Sequence, residues 1–295
     1  ANSIFTMVVT PVFGVPHVYD FTPNLFSTSH RSVLVCVHGW LLSRAYWQPL
    51  MQQLAPDIAC LAYDLRGFGD STQQLSKRGF TLGTSTYGLT AYAHDLNALL
   101  EALDLNDVWL MGHSLGGSIA LWAAYLFPER VKGVICVNAG GGIYIHNAFE
   151  KFRTAGQQMM EWRPQWLQHL PLLPWVFANI MVRQTLSYRW GQQRLLDFLR
   201  ADPDAATQSL LASTTEKEVH QLPKIVSQLS QPVYFVTGEQ DTVMEPRYVN
   251  HLASFHRFFR QGKQAVVEFE QCGHFAMLEQ PLALETQVRQ WLSGD

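Results

Sequence analysis

Charge is scarce in this chain: of 295 residues only 15% are Asp, Glu, Lys or Arg, while 47% are hydrophobic. The 21 Lys and Arg face 24 Asp and Glu, a net charge of -3, which is not the basic footprint that nucleic-acid binding leaves. Cysteine is equally rare. The 4 Cys include no C-x-x-C pair, so neither a zinc site nor a disulfide framework is expected. Cys36, Cys60 and Cys136 lie inside the apolar runs VLVCV, DIACLAY and VICVN and read as small buried core residues in a reducing compartment. The first twenty residues have no basic start followed by an apolar block, so no secretory signal is expected there. Also missing is the run of ~20 apolar residues that a spanning helix requires. The greasiest stretch, PQWLQHLPLLPWVFANIMV (Pro164 to Val182), is interrupted by Pro171 and Pro174 and by Gln165, Gln168, His169 and Asn179.

What the chain does have is a rhythm. After a predicted N-terminal strand pair (Thr6 to Phe21), the segments SVLVCV, DIACLAY, VWLMG and VKGVICVN are apolar throughout, as strands buried on both faces are. Between them YGLTAYAHDLNALLEALDL and GSIALWAAYLFPER show helical spacing. Strand and helix in alternation predict a mostly parallel, doubly wound α/β sheet. The rhythm stops at residue 140, resumes at 223, and closes with PVYFVTG and QAVVEFE. The expected organisation is therefore a core of residues 1–139 and 223–295 with a helical cap inserted at 140–222.

The chemistry is expected at one join. In LMGHSLGGSIALW, Ser114 stands between a strand and a helix, with Gly112 and Gly116 two places to either side. A strand that reverses into a helix so abruptly strains its turning residue and requires neighbours without side chains. The strain exposes Oγ at the C-terminal edge of the sheet, where open α/β sheets bind ligands. A serine needs a base. Of the 11 histidines, His94 falls in a predicted helix, His251 and His256 flank another, and His113 is turned away from Ser114 by strand alternation. His274, in a glycine-containing loop beyond the last strand, is the base expected. Asp241, just after the penultimate strand, is the carboxylate expected to orient it, with Glu239 as the alternative; Asn138, after the preceding strand, cannot serve as an acid. The order Ser114, Asp241, His274 suits this arrangement. The backbone N–H groups of Trp40, in the HGW loop after an earlier strand, and of Leu115 are the expected oxyanion donors. His38 is read as a structural brace for that loop.

These segments (HGW, DLRGFGDS, GHSLGG, TGEQDTV and CGHFAMLEQP) resemble the α/β-hydrolase superfamily over nearly the whole chain outside the insertion. The resemblance implies the α/β-hydrolase fold, a lid at the insertion, and no metal or organic cofactor. Serine at the nucleophile position argues against the dehalogenase and epoxide-hydrolase branches, which use Asp. Trp40-Leu41-Leu42 and Phe275 weaken the carbon–carbon hydrolase reading, whose members carry a glycine-rich oxyanion loop and a Trp after the histidine. An ester hydrolase survives best. The alternatives are another carboxylesterase or lipase, a carbon–carbon bond hydrolase, or a small-molecule receptor on the same scaffold.

The segment NAGGGIYI (Asn138 to Ile145) and the apolar insertion beside GHSLGG are similar to the chlorophyll dephytylases, which hydrolyse the phytyl ester of chlorophyll. The insertion, free of charge from Pro164 to Val182 and rich in aromatics (Trp162, Trp166, Trp175, Phe177), favours a bulky, apolar small-molecule ester, a pocket that includes Leu41, Phe275, Trp166 and Trp175, and shallow contact of the cap with a membrane. The resemblance implies a pocket without fixed charge and an internal, thylakoid-type membrane.

Overall fold

The computed structural model describes residues 5–23, 33–72, 87–141 and 146–294, without the side chains of 146–149 and 152. Eight strands form one sheet: β1 (Thr6–Val12), β2 (Val15–Phe21), β3 (Leu34–Val37), β4 (Cys60–Tyr63), β5 (Val108–His113), β6 (Val131–Val137), β7 (Val233–Gly238) and β8 (Val266–Phe269). Their spatial order is β1-β2-β4-β3-β5-β6-β7-β8. The first hairpin is antiparallel and joins β4 antiparallel; every pairing from β4 to β8 is parallel. The all-apolar runs occupy the centre. β3, β4 and β5 are buried at every position, because helices cover both faces.

The helices of the core are α1 (Gln48–Leu54), α2 (Leu89–Ala102) and α3 (Leu115–Leu126). Between β6 and β7 come α4 (His146–Glu161), α5 (Leu173–Asn179), α6 (Tyr188–Arg200), α7 (Pro203–Ser213) and α8 (Glu216–Gln228). The chain ends with α9 (Pro246–Ala253), α10 (Arg257–Arg260), α11 (Ala276–Glu279) and α12 (Pro281–Ser293). α2 packs on α3 on one face, and α1 packs on α12 on the other.

Helices α4 to α8 lie between β6 and β7, and the boundary expected at Leu222 falls inside α8. That helix runs through Pro223 and packs on α3 and α9 of the core. Thr215 caps it, its hydroxyl accepting from the Glu218 N–H at 3.1 Å. Polar contacts seat the cap on the core, among them the Trp40 indole N–H donating to the Ala206 carbonyl at 2.8 Å, the Ser43 hydroxyl to Asp197 Oδ2 at 2.9 Å, and the Asp202 N–H to the Gly67 carbonyl at 2.8 Å.

Candidate active site

Ser114 is the single residue between β5 and α3, at φ 52° and ψ -117°. A side chain in this left-handed region costs on the order of 1–3 kcal/mol and persists only where the surroundings over-determine it. Here they do. The Ser114 N–H donates to the Val137 carbonyl of β6 at 3.0 Å, and α3 begins at the next residue. A Cβ on Gly112 would stand 2.1 Å from the Gly116 carbonyl oxygen, and one on Gly116 would stand 2.3 Å from that of Val37. The glycines are thus demanded by the approach of α3 to the strand ends. Leu41 (φ 58°) and Asn138 (φ 50°) share the left-handed conformation at the same edge of the sheet.

Asp241 and His274 meet across two loops, His274 Nδ1–H donating to Asp241 Oδ2 at 2.8 Å with both residues buried. Asp241 Oδ1 also accepts from the Val243 and Met244 N–H groups, each at 2.9 Å. Burial would raise the pKa of this carboxyl, but the adjacent His274 and these hydrogen bonds outweigh it and hold it below the usual range. Glu239, the alternative, is exposed and accepts from the Gln271 N–H instead. With Nδ1 committed to Asp241, Nε2 is the imidazole nitrogen left for Ser114, and both residues line one cavity.

Several supporting residues escaped the sequence reading. Asn138 cannot be the acid, yet its Nδ2 donates to Asp241 Oδ2 and to the Gly273 carbonyl, both at 3.0 Å, while its Oδ1 accepts from the Ala276 N–H at 3.2 Å. It clamps the acid to the histidine loop. His113 keeps the alternation of β5, packing on Phe275 on the Trp109 and Met111 side of the sheet, but there its ring lies 4.8 Å from that of His274, its Nε2–H donating to the His274 carbonyl at 2.7 Å. Glu279 accepts from the N–H groups of Gly273, Phe275, Arg183 and Gln184, tying the histidine loop to the cap. No local pattern announces these contacts, because their partners lie in other loops.

Trp40 follows β3, and Leu115 opens α3, so its N–H is one of the amides with no acceptor inside the helix. His38 braces the first of these loops: Nδ1–H donates to the Gly39 carbonyl at 2.8 Å, and Nε2 accepts from the Leu65 N–H at 2.9 Å. Leu65 belongs to DLRGFGDS, whose Asp64 pairs with Arg44. Burial lowers the His38 pKa to about 4, so its ring is neutral. The unfolded chain binds a proton there below about pH 6.5 and the folded one does not, so this contribution is complete above pH 6.5 and is lost as pH falls toward 4. Burial acts oppositely on Asp64 and Asp197, raised to about 6 and about 7, so total stability is a poor readout. The stability difference between wild type and His38→Gln, from urea titrations, is expected to shrink by about 2 kcal/mol between pH 7 and pH 5. A constant difference would rule out the neutral buried ring.

The cavity holds about 170 Å³. Leu41 and Phe275 line it with Trp40, Leu42 and Val243; from the cap come Met159, Phe177, Ile180, Met181, Arg194 and Phe198. Two expectations for the pocket are corrected. Trp166 and Trp175 are not part of its wall but lie on the outer face, 54% and 48% exposed. α5 presses Pro174 and Ala178 against α6 so closely that a Cβ on Gly191 would meet the Pro174 carbonyl oxygen at 1.8 Å. That orientation turns Phe177 toward the cavity and Trp175 away. Nor does the pocket lack fixed charge: Arg194 is in its wall. In NAGGGIYI, residues 142–145 lie outside the described residues. Among the described residues no group of three or more His, Cys, Asp or Glu is arranged to hold a metal, and no helix is long and apolar enough to cross a membrane.

Comparison with known proteins agrees with this fold. The model of the alpha/beta hydrolase fold family matches residues 32–281. A 2-succinyl-6-hydroxy-2,4-cyclohexadiene-1-carboxylate synthase of Yersinia pseudotuberculosis is 28% identical over 266 residues, 88% of this chain and 87% of that protein. The esterase EaEST of Exiguobacterium antarcticum superposes with a TM-score of 0.75 at 18% identity, covering 98% of this chain and 99% of its own. A thermophilic esterase of Thermogutta terrifontis superposes at 0.72 and 20% identity, with 98% of each chain covered. At such identities the structural likeness speaks for the fold alone, and the family match carries the assignment. The chain belongs to the alpha/beta hydrolase fold family.

Proposed function

We propose that this protein is a serine carboxylic-ester hydrolase acting on a bulky apolar ester, and that the ester is the phytyl ester of chlorophyll. The observation that carries the first part is the buried Asp241–His274 pair opening onto the same cavity as the strained Ser114. His274 Nε2 takes the Ser114 proton as Oγ attacks the ester carbonyl. The oxyanion of the tetrahedral intermediate is received by the Trp40 and Leu115 N–H groups. His274 then protonates the leaving alcohol, and water activated by the same ring frees the acid. The reaction needs no redox step and no electron sink, and the proposal includes no cofactor.

The narrower part is supported by the cap. The cavity is smaller than the roughly 300–1,000 Å³ of sites that engulf a drug-sized ligand. Much of a macrocyclic ester would therefore rest outside it. Ile180 and Met181 line the cavity and are also exposed, and Trp162, Trp166, Leu172 and Trp175 of the same insertion are exposed apolar side chains. Such side chains suit shallow contact with a membrane surface, from which a lipid-borne ester would enter. In flotation with phosphatidylglycerol vesicles, the double variant Trp166→Ser/Trp175→Ser is expected to bind about tenfold more weakly or worse. Equal partitioning of variant and wild type would remove the membrane from the proposal.

The test of the function is incubation with chlorophyll a and, separately, with a panel of carboxylic esters, followed by chromatography. Chlorophyllide and phytol are expected with wild type and not with Ser114→Ala. Turnover of simple esters alone would leave the broader reading. No Ser114-dependent turnover together with tight, stoichiometric ligand binding would replace both by the receptor reading. The Yersinia relative, a 2-succinyl-6-hydroxy-2,4-cyclohexadiene-1-carboxylate synthase by name, supports a second enzymatic reading in which this cavity does chemistry other than ester hydrolysis; product analysis separates the two.

A further inference from the structure

Among the described residues lining the catalytic cavity, Arg194 alone carries a permanent charge. It projects from α6 of the cap, is only 7% exposed, and places its guanidinium 4.3 Å from the centre of the Phe275 ring, beside His274. Its Nη1 donates to the Phe177 and Ile180 carbonyls, the latter at 2.8 Å. These carbonyls sit at the C-terminal end of α5, where a cation is favoured, and they fix the orientation of the fork. The other donors, on Nε and Nη2, meet no acceptor among the described residues. No carboxylate there forms an ion pair with the group. The nearest candidate, Glu279, is committed to four backbone N–H groups. Burial lowers the Arg194 pKa only to about 10, so the group stays cationic at neutral pH.

Glu279 acts on the cation through space but does not hydrogen-bond to it. A buried cation with no direct ion pair is costly, and Leu or Met would fill an otherwise apolar wall at lower cost. The Phe275 ring face offsets part of that penalty but accepts no hydrogen bond.

We propose that Arg194 is a specificity-determining residue: its free donors bind an oxygen acceptor on the substrate, a carboxylate or a ketone or ester carbonyl, other than the carbonyl that Ser114 attacks. This rests on the ester-hydrolase reading above. It deepens that reading by requiring a second polar group on an otherwise apolar ester. The cap then recognises polarity while its other residues recognise bulk.

Three near-isosteric substrates test it: 4-nitrophenyl pentanoate, levulinate and hemisuccinate, whose acyl chains end in methyl, ketone and carboxylate functions, with uncatalysed rates subtracted. Wild type is expected to prefer levulinate, hemisuccinate or both over pentanoate by about 10- to 100-fold in kcat/KM. In Arg194→Met that ratio is expected to fall close to one. Arg194→Lys, which keeps the charge but loses the planar fork, is expected to retain part of a carboxylate preference and little of a ketone preference. Preference for hemisuccinate alone identifies the acceptor as a carboxylate; preference for both identifies any carbonyl oxygen. The inference is overturned by a flat wild-type profile, by a preference that survives Arg194→Met, or by an equal loss on all three esters, which marks a structural strut. Melting curves accompany each variant, and should Arg194→Met not fold, Arg194→Lys carries the same comparison. Pentanoate turnover that disappears in Ser114→Ala upholds the hydrolase reading whatever becomes of Arg194. Absence of Ser114-dependent turnover on every ester takes both down together.

Discussion

Replacing Ser114 with alanine is expected to lower kcat for any ester substrate by about 10⁵–10⁶-fold and to abolish covalent labelling by a fluorophosphonate. The nucleophile is the only atom removed. Alanine keeps the left-handed backbone at φ 52°, so stability should stay within about 0.5 kcal/mol of wild type. Ser114→Gly should be equally inactive but more stable by about 1 kcal/mol, because glycine adopts that conformation without strain. The pair separates the strain of the elbow from its chemistry. Labelling that persisted in Ser114→Ala would place the nucleophile elsewhere and dismantle the mechanism.

The second large effect belongs to Asp241→Asn, for which a fall in kcat of about 10⁴-fold is expected. The carboxylate accepts four hydrogen bonds, two on each oxygen. An amide offers one acceptor oxygen and one donor nitrogen. The Val243 and Met244 N–H groups are main chain and cannot reverse, so the amide oxygen takes their side and its NH₂ faces His274. That contact favours the tautomer with the proton on Nε2, which cannot accept the Ser114 proton. Steady-state kinetics should show the loss in kcat with KM little changed, and phosphonate labelling should slow in parallel. Glu239→Gln, altering an exposed carboxylate, should fall within a few-fold of wild type. A loss below tenfold in Asp241→Asn, or a comparable loss in Glu239→Gln, would reassign the orienting acid.

Much of this site was legible before any coordinates because the fold converts chain order into position. Continuous apolar runs mark parallel strands, and parallel strands bring all their C-terminal ends to one edge. Any residue just beyond such a run is thereby a neighbour of the others: Ser114 after β5, Asp241 after β7, His274 after β8 and Trp40 after β3. The supporting residues behave differently. Asn138 was read only for what its side chain cannot do, and its amide turned out to hold Asp241 and the histidine loop together. Strand alternation places His113 on the Trp109 and Met111 side of the sheet, but it cannot tell that the His274 loop folds over that side and accepts its N–H.

The cap was the least legible part. Its hydrophobicity identified an apolar insertion but not which aromatic side chains face inward. Trp166 and Trp175 read as pocket residues by composition, yet the tight seating of α5 on α6 at Gly191 turns Phe177 and Ile180 to the cavity instead. The end of the insertion was hidden too, since the boundary expected at Leu222 falls within α8, a helix that runs on through Pro223.

The sequence by itself therefore determined the sheet, the strained serine turn, and the meeting of Asp241 with His274 at the strand ends, because periodicity and chain order are local and survive without knowledge of contacts. Tertiary structure alone decided the clamp at Asn138, the Glu279 tie between loop and cap, and the buried charge of Arg194 beside His274. Each depends on the distance between segments far apart in the chain, and side-chain direction in short helices is settled by packing, which no pattern along one strand or helix encodes.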